Sequence, residues 1–271
     1  MSFGSDDLIF ATFHGTMKAV LSLLTLSSFT LNLGGVMMNK KYELLLDETV
    51  ELNDRVLYRI RAVRDITLTV GRVVEAGTKG GFIEKLSNLA QPGNCWVGDD
   101  ACVCGEAQIY DDALVINSAR VFGRAQVYGK AKIGDKATVQ DDAMVYDEAE
   151  VFDSAEVYGH ATVFNNAWVG GSSKVCGLAK VRERAWVRDS AFVSGRSDVH
   201  GDAVIEGNAR IHGRAEVRDS VSVSGSARIH GKAVVYGDAE VHGSSDVSGS
   251  AAIHGDADVS SGRVLGDADI Y

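Results

Sequence analysis

A six-residue repeat runs through most of the chain and constrains its fold more than any other feature. From Val97 to Val259 every sixth residue is Val or Ile, at 28 successive positions. The residue two places before each of the later 27 is Ala in 23 cases, the others being Ser173, Ser197, Val221 and Ser245. A helix repeats every 3.6 residues and a strand every two, so neither element alone gives this period. The unit reads Ala-x-Val-x-Gly-x, which predicts a short strand followed by a corner.

The residue types fit a narrow coil built from three such units. The alternating Ala and Val side chains point inward, and a small residue beside a β-branched one fills a narrow interior. The first corner position is Gly in 16 of 28 units and mostly Asp or Asn otherwise. These residues tolerate the positive φ of a tight corner. A hexapeptide repeat is typical of a parallel β-helix, and nine coils stacked at about 4.8 Å make a rod of about 45 Å.

The repeat resembles the hexapeptide of the left-handed β-helix superfamily, in which an aliphatic residue is followed four places later by a small one. Upstream, EAGTKGGFIE (75–84) and NLAQPGNCWV (88–97) are similar to the entry segment of YdcK-like acetyltransferase-type proteins of enterobacteria and their prophages. This resemblance extends from about Met38 to the C-terminus. It implies an all-β fold, a left-handed parallel β-helix forming a triangular prism of about 9–10 coils, with a small N-terminal β cap. Many members of the superfamily are CoA-dependent acyltransferases, which implies acetyl-CoA as the cofactor if the chain is an enzyme.

The overall composition excludes some classes of partner. The 271-residue chain carries a net charge of −10 at pH 7, whereas non-specific nucleic-acid binding needs a basic face, so we expect no nucleic-acid partner. Four cysteines are too few for a disulfide framework in a chain of this length. They also lack the arrangement of a tetrahedral metal site. We expect a cytoplasmic protein, with export or association with a virion as the alternative.

Residues 1–38 precede the part of the chain that carries the resemblance. The stretch from Ala19 to Met38 is uncharged, but its Ser, Thr and Asn residues make it a poor transmembrane helix. No Ala-x-Ala cleavage site follows it. Three interpretations stay open: a non-native or disordered leader, with translation starting at Met37 or Met38; a signal segment; or an ordered element. We expect no membrane association.

Residues 39–96 predict a small β cap, and residues 97–271 the repeat itself. Segments 42–46 and 55–63 have the pattern of strands, joined by a turn at Asn53 and Asp54. The stretch from Gly77 to Gly81 lacks the spacing of a phosphate-binding loop. We interpret it as turns of the cap, with a ligand loop as the alternative. A β-helix needs such a cap because its open end exposes unpaired strand edges.

Residues 18 apart stack on neighbouring coils, so the repeat predicts columns of outward side chains. What we call the aromatic column comprises Tyr110, Tyr128, Tyr146 and Phe164, and continues as Arg182, His200, Arg218, Tyr236 and His254. Its rings could bind a sugar or a partner. Stacked aromatic side chains also stabilise a repeat surface as cross-strand pairs do, and we favour that interpretation.

A second face, the tryptophan face, carries large apolar side chains: Trp96, Leu114, Ile116, Phe152, Trp168 and Trp186. Apolar side chains collected in one outward zone indicate an interface. By resemblance, members of the superfamily form trimers of parallel prisms. We therefore predict a homotrimer with Ile116, Phe152, Trp168 and Trp186 at the contact, the alternative being scattered exposed apolar residues.

The third face carries what we call the basic cluster: Arg196, Arg210, His212, Arg214, Arg228, His230 and Lys232. Such a concentration of cationic groups in an acidic protein would attract an anion. The resemblance implies that His212 or His230 acts as a general base and that the Arg and Lys side chains hold the phosphates of CoA. We predict no metal here because arginines flank both histidines. The alternative is a solvated polar face.

One departure from the enzymes favours a non-catalytic function. Their prisms carry a loop that folds over the active site, whereas here the repeat is unbroken from Val97 to Val259 and slips by one residue only near Ser260 and Ser261. A single smooth prism would offer no concave site of the kind that catalysis needs. We therefore predict a structural or binding module of prophage type, with a glycan or virion partner. The alternative is a CoA-dependent acyltransferase that acetylates a hydroxyl or an amine.

Overall fold

The structure is a computed structural model that describes residues 40–271. Residues 1–38, for which three interpretations were left open, lie outside the described part of the chain. In the described part of the chain the regular elements are 35 β-strands and one short 3-10 helix, Leu86–Asn88. No helix in residues 40–271 has the length and apolar character needed to cross a membrane.

Five strands precede the repeat: β1 (Tyr42–Leu52), β2 (Arg55–Ala62), β3 (Ile66–Thr67), β4 (Val73–Val74) and β5 (Lys79–Ile83). Strands β1 and β2 pair antiparallel around the predicted turn, where Asn53 and Asp54 both have positive φ. Strand β5 pairs antiparallel with β2 and parallel with Cys102–Val103, which is the first strand of one of the three sheets of the repeat.

The interpretation of residues 77–81 as turns was wrong for the last three of them, which begin β5. The reason is close packing of β5 against the first coil. A Cβ atom at Gly80 would lie 2.5 Å from the ring of Trp96 and 2.5 Å from the carbonyl oxygen of Val97. Glycine is therefore needed here for a close approach of the backbone.

The repeat forms 30 strands of two residues each, arranged in three parallel sheets that we name after the side chains they carry. The basic face contains Cys102–Val103, Arg120–Val121, Thr138–Val139, Glu156–Val157, Lys174–Val175, Phe192–Val193, Arg210–Ile211, Arg228–Ile229, Asp246–Val247 and Arg263–Val264. The aromatic face contains Gln108–Ile109, Gln126–Val127, Met144–Val145, Thr162–Val163, Lys180–Val181, Asp198–Val199, Glu216–Val217, Val234–Val235, Ala252–Ile253 and Asp269–Ile270. The tryptophan face contains Trp96–Val97, Leu114–Val115, Lys132–Ile133, Glu150–Val151, Trp168–Val169, Trp186–Val187, Val204–Ile205, Ser222–Val223, Glu240–Val241 and Asp258–Val259.

Each strand pairs with the strand 18 residues further along the chain, as Val121 does with Val139. The offset falls by one residue at the C-terminal end, where Asp246 pairs with Arg263, as the slip near Ser260 predicts. These pairings confirm a parallel β-solenoid of about ten coils with an 18-residue period.

The inward positions form one continuous core. The repeating Ala, Val and Ile side chains are almost all completely buried. The three serines that replace Ala are buried as well, and each hydroxyl donates to the carbonyl three residues earlier, as Ser173 Oγ does to Gly170 at 2.7 Å. A small polar side chain is therefore tolerated inside because its hydrogen bond is made locally.

The corners have the backbone conformation that their residue types predict. Every first corner position from Asp99 to Gly255 has positive φ. At the acidic corners the carboxylate also accepts a hydrogen bond from the backbone N–H 18 residues later, as Asp153 does from Gly171 at 2.8 Å. That hydrogen bond offsets the cost of placing a residue with a Cβ in the left-handed region.

The cap supplies hydrogen-bond donors to the first coil. Between coils, backbone N–H groups donate to carbonyls of the coil that follows, so the carbonyls of the first coil need donors from elsewhere. The completely buried Asn88 donates its amide to the carbonyls of Gly105 and Ala107, at 3.0 and 2.8 Å. The completely buried Lys41 donates to the carbonyl of Cys95 at 2.9 Å.

A hairpin of the cap packs over the tryptophan face. Strands β3 and β4 pair antiparallel, and Leu68 and Val74 pack in the same core as Trp96 and Leu114. The expectation that Trp96 and Leu114 are exposed was wrong, because each is only 3% exposed beneath the cap. Ile116 is partly buried against the same core.

Candidate functional site

The basic cluster brings like charges together on adjacent strands. Arg210 and Arg228 lie directly opposite each other in the parallel register. Arg196, Arg214 and Lys232 occupy the same corner position on three successive coils. Within residues 40–271, none of these five cations forms an ion pair, the nearby carboxylates being taken by other partners. Like charges directly opposite each other on a sheet are destabilising. An anion bound between these cations would reduce their repulsion.

Elsewhere the cations of the solenoid follow a different rule. Many lie 18 residues from a carboxylate and pair with it on the neighbouring coil: Arg124 with Asp142, Lys130 with Glu148, Lys132 with Glu150, Lys174 with Glu156, Arg184 with Asp202, and Arg188 with Glu206. The basic cluster departs from this alternation over three coils. The departure concentrates positive potential on one part of an otherwise acidic protein.

The two histidines of the cluster lie in one column but have different partners. Their rings stack with centroids 4.7 Å apart. His230 Nε2 lies 2.9 Å from a carboxylate oxygen of Asp246, 16 residues later. The corresponding residue for His212 is Arg228, a cation. His212 is therefore the member of the pair that lacks a carboxylate partner within the described part of the chain.

The environment of His212 favours its neutral form. Burial of the ring lowers its pKa below the ordinary value, and the nearby His230 and Arg228 lower it further. A neutral imidazole can accept a proton or a hydrogen bond from a ligand. The geometry thus distinguishes His212 from His230 as the candidate base.

We expect His212 to titrate below the ordinary histidine pKa of 6.5. Because the unfolded chain then binds this proton more tightly than the folded chain, this residue lowers folding stability as the pH falls below 6.5 towards the folded-state value. The measurement is a two-dimensional NMR titration of the imidazole signals, with His212→Gln used to assign the resonance. A midpoint at or above 6.5 would contradict the prediction.

The first part of the aromatic column, from Tyr110 to Phe164, is confirmed as a continuous stack. The Tyr110 and Tyr128 rings are 4.8 Å apart and tilted by 4°, and the Tyr146 and Phe164 rings are 5.0 Å apart and tilted by 12°. The Tyr128 and Tyr146 rings stack between them at 4.8 Å. Each inner ring therefore covers the faces of its neighbours. This arrangement supports stabilisation of the solenoid, because it leaves ring edges rather than faces available to a sugar.

A groove lies between the hairpin tip and the tryptophan face. We call it the tryptophan groove; it has a volume of about 380 Å³ and is lined by Thr69, Lys130, Lys132, Glu148, Glu150, Asn166, Trp168 and Trp186. The expectation that a single chain offers no concave surface was therefore wrong. The hairpin of the cap, and not an insertion in the repeat, supplies the wall.

The two tryptophans on the groove floor differ in exposure. Trp186 is 44% exposed, while Trp168 is half-buried and lies over Gly170. A Cβ at Gly170 would lie 2.0 Å from the Trp168 ring. Phe152 lies similarly over Gly134 on an earlier coil. Glycine at these positions thus seats the aromatic rings on the face.

The comparison with known protein families finds a match within the repeat. Residues 107–123 and 155–171 match the family model of the YdcK beta solenoid repeat. The chain is a β-solenoid repeat protein related to YdcK. No curated protein matches it.

In this YdcK-related solenoid the predicted site residues fall into two groups. All seven residues of the basic cluster lie together on three coils. Trp168 and Trp186 adjoin on the tryptophan face, whereas Ile116 lies beside the cap hairpin and Phe152 one coil before Trp168. No three His, Cys, Asp or Glu side chains gather to hold a metal within residues 40–271. Sequence reasoning missed Thr69, since nothing in the repeat shows where the hairpin packs.

Proposed function

We propose that this protein is a non-catalytic binding module whose rigid solenoid holds an anionic ligand at the basic cluster. The observation that carries the proposal is the direct opposition of Arg210 and Arg228 in a solenoid whose other cations are largely paired between coils. A phosphate, sulfate or carboxylate between these guanidinium groups would form charge-assisted hydrogen bonds and relieve their repulsion. A glycan or virion surface that bears such groups is the partner class we propose.

The assembly we propose is a homotrimer with Ile116, Phe152, Trp168 and Trp186 at the contact. The exposed ring of Trp186 supports an interface on this face. The cap hairpin covers the first coils of this face, so Ile116 lies at the edge of the surface that remains available. Light scattering of the full chain distinguishes the trimer from a monomer.

The second candidate function is a CoA-dependent acyltransferase. The neutral His212 among five cations favours it, since a base and a phosphate-binding surface would then be adjacent. In this function Arg196, Arg210, Arg214, Arg228 and Lys232 hold the phosphates of acetyl-CoA, and His212 takes the proton from an acceptor hydroxyl or amine.

Calorimetric titration of the full chain tests both functions. We expect saturable binding of inorganic pyrophosphate at one site per chain, weakened by added salt because the contacts are ionic. Acetyl-CoA that binds more tightly than pyrophosphate and loses its acetyl group to an acceptor would favour the enzyme. Arg184→Ala is the matched control, because it removes one positive charge outside the cluster. Absence of heat with both ligands at millimolar concentration would overturn the anion site.

A further inference from the structure

The tryptophan groove has an aromatic floor that differs from the aromatic column. The Trp168 and Trp186 rings have centroids 5.6 Å apart and are tilted by 43°. The column tyrosines, by contrast, lie almost parallel and cover one another. Trp186 is 44% exposed, so part of its ring is accessible from the groove, and the guanidinium of Arg188 lies over the ring at 6.0 Å from its centroid. An open indole face can bind a flat apolar surface such as one side of a sugar ring.

The rim of the groove is polar, yet its charges cancel. Lys132 Nζ lies 2.8 Å from a carboxylate oxygen of Glu150, and Lys130 Nζ lies 2.9 Å from one of Glu148. Asn166 donates its amide to the other oxygen of Glu148 at 3.1 Å. The rim therefore has no net charge to attract an ion. Each ammonium and carboxylate still has unused hydrogen-bonding capacity, which suits hydroxyl groups that both donate and accept.

The hairpin tip closes one side of the groove. Thr69 lines it, and its buried Oγ1 has no hydrogen-bond partner in the described part of the chain. Buried hydroxyls are usually hydrogen-bonded, so Thr69 Oγ1 has capacity for a further hydrogen bond at this wall of the groove. The volume of about 380 Å³ lies within the range of small-molecule sites.

We propose that the tryptophan groove binds a neutral saccharide, with one sugar ring stacked on Trp186 and its hydroxyls bonded to the Lys132–Glu150 and Lys130–Glu148 pairs. An aromatic face surrounded by paired charges and an amide matches a ligand with one apolar face and a ring of hydroxyls. The site lies on a different face from the basic cluster and goes beyond the anion-binding function. Trp186 cannot serve both this saccharide and the homotrimer contact proposed above, so a second copy of the chain is the alternative occupant of the groove.

Tryptophan fluorescence of the full chain tests the proposal. Maltose, cellobiose, lactose and N,N′-diacetylchitobiose serve as probes, followed by an array of neutral glycans. We expect a saturable fluorescence change with at least one saccharide. Trp186→Ala should weaken binding by about thirtyfold, as loss of a hot-spot aromatic does. Gly170→Ala should also weaken it, because the added methyl group displaces Trp168 while keeping the indole.

Two comparisons separate this proposal from the other functions. Arg228→Ala should leave saccharide binding unchanged while weakening the binding of pyrophosphate, so that each site can fail independently. Lack of a response to every neutral glycan would overturn the saccharide site. Light scattering that gives two or three chains for the wild type and one chain for Trp186→Ala, without any saccharide response, would assign the groove to a second copy.

Discussion

Replacing Asn88 by alanine is expected to lower the free energy of unfolding by about 3 kcal/mol, because buried groups that lose their hydrogen bonds cost 1–3 kcal/mol each. The variant leaves the carbonyls of Gly105 and Ala107 without their side-chain donor and the N–H of Lys85 without its acceptor. These groups lie where the cap meets the first coil, so the loss weakens the attachment of the whole N-terminal end. Urea denaturation followed by circular dichroism measures the change.

Asn208→Ala is the matched control for this variant. Asn208 is exposed at a corner of the solenoid, so the same substitution should change stability by about 0.5 kcal/mol or less, as surface substitutions do. Equal destabilisation by the two variants would show that Asn88 does not hold the cap on the first coil. A smaller slope of the free energy of unfolding against urea for Asn88→Ala would indicate that the cap detaches in the native state.

Arg210→Glu is expected to change stability and anion binding in opposite directions. The substitution places a carboxylate opposite Arg228 and so reproduces the arrangement of Lys132 and Glu150 on the tryptophan face. Replacing a like-charge pair by an opposite-charge pair should raise the free energy of unfolding by about 1 kcal/mol. Removing one charged contact from the ligand should weaken pyrophosphate binding by about 2 kcal/mol, or thirtyfold.

Arg184→Glu is the matched control, for which we expect the opposite effect on stability. Arg184 already pairs with Asp202 on the next coil, so its replacement creates a like-charge contact and should lower stability. It should leave pyrophosphate binding nearly unchanged. If Arg210→Glu and Arg184→Glu had the same effect on stability, the basic cluster would be an ordinary solvated face.

The sequence predicts the solenoid well because each coil contacts only its neighbours. The 18-residue period places Tyr110 under Tyr128 without any knowledge of distant contacts, and the structure stacks them. Positive φ at the corners follows in the same way from Gly, Asp and Asn. A nearest-neighbour structure of this kind can be derived from local patterns.

The cap hairpin could not be predicted because it lies outside the repeat. Residues 66–74 have no periodic relation to the coils, so the sequence gives no register for their packing. The burial of Trp96 and the groove beside Trp186 both result from this packing. Tertiary contacts between segments with different patterns are the part that sequence reasoning missed.

The difference between His212 and His230 was present in the sequence but needed the structure to be recognised. In the parallel coils, the residue after the aliphatic position reaches the residue 16 places later, as His242 does to Asp258. With that contact known, Arg228 and Asp246 distinguish the two histidines directly from the sequence.

The 18-residue period also determines how this protein can change length. Loss or gain of one whole coil between the tryptophan groove and the basic cluster would preserve every pairing along the rod. It would change the separation of the two surfaces by one strand spacing, about 4.8 Å. Any other insertion within a coil would turn the following residues onto different faces. Variation by whole coils can therefore adjust the distance between two bound partners while leaving both binding surfaces intact.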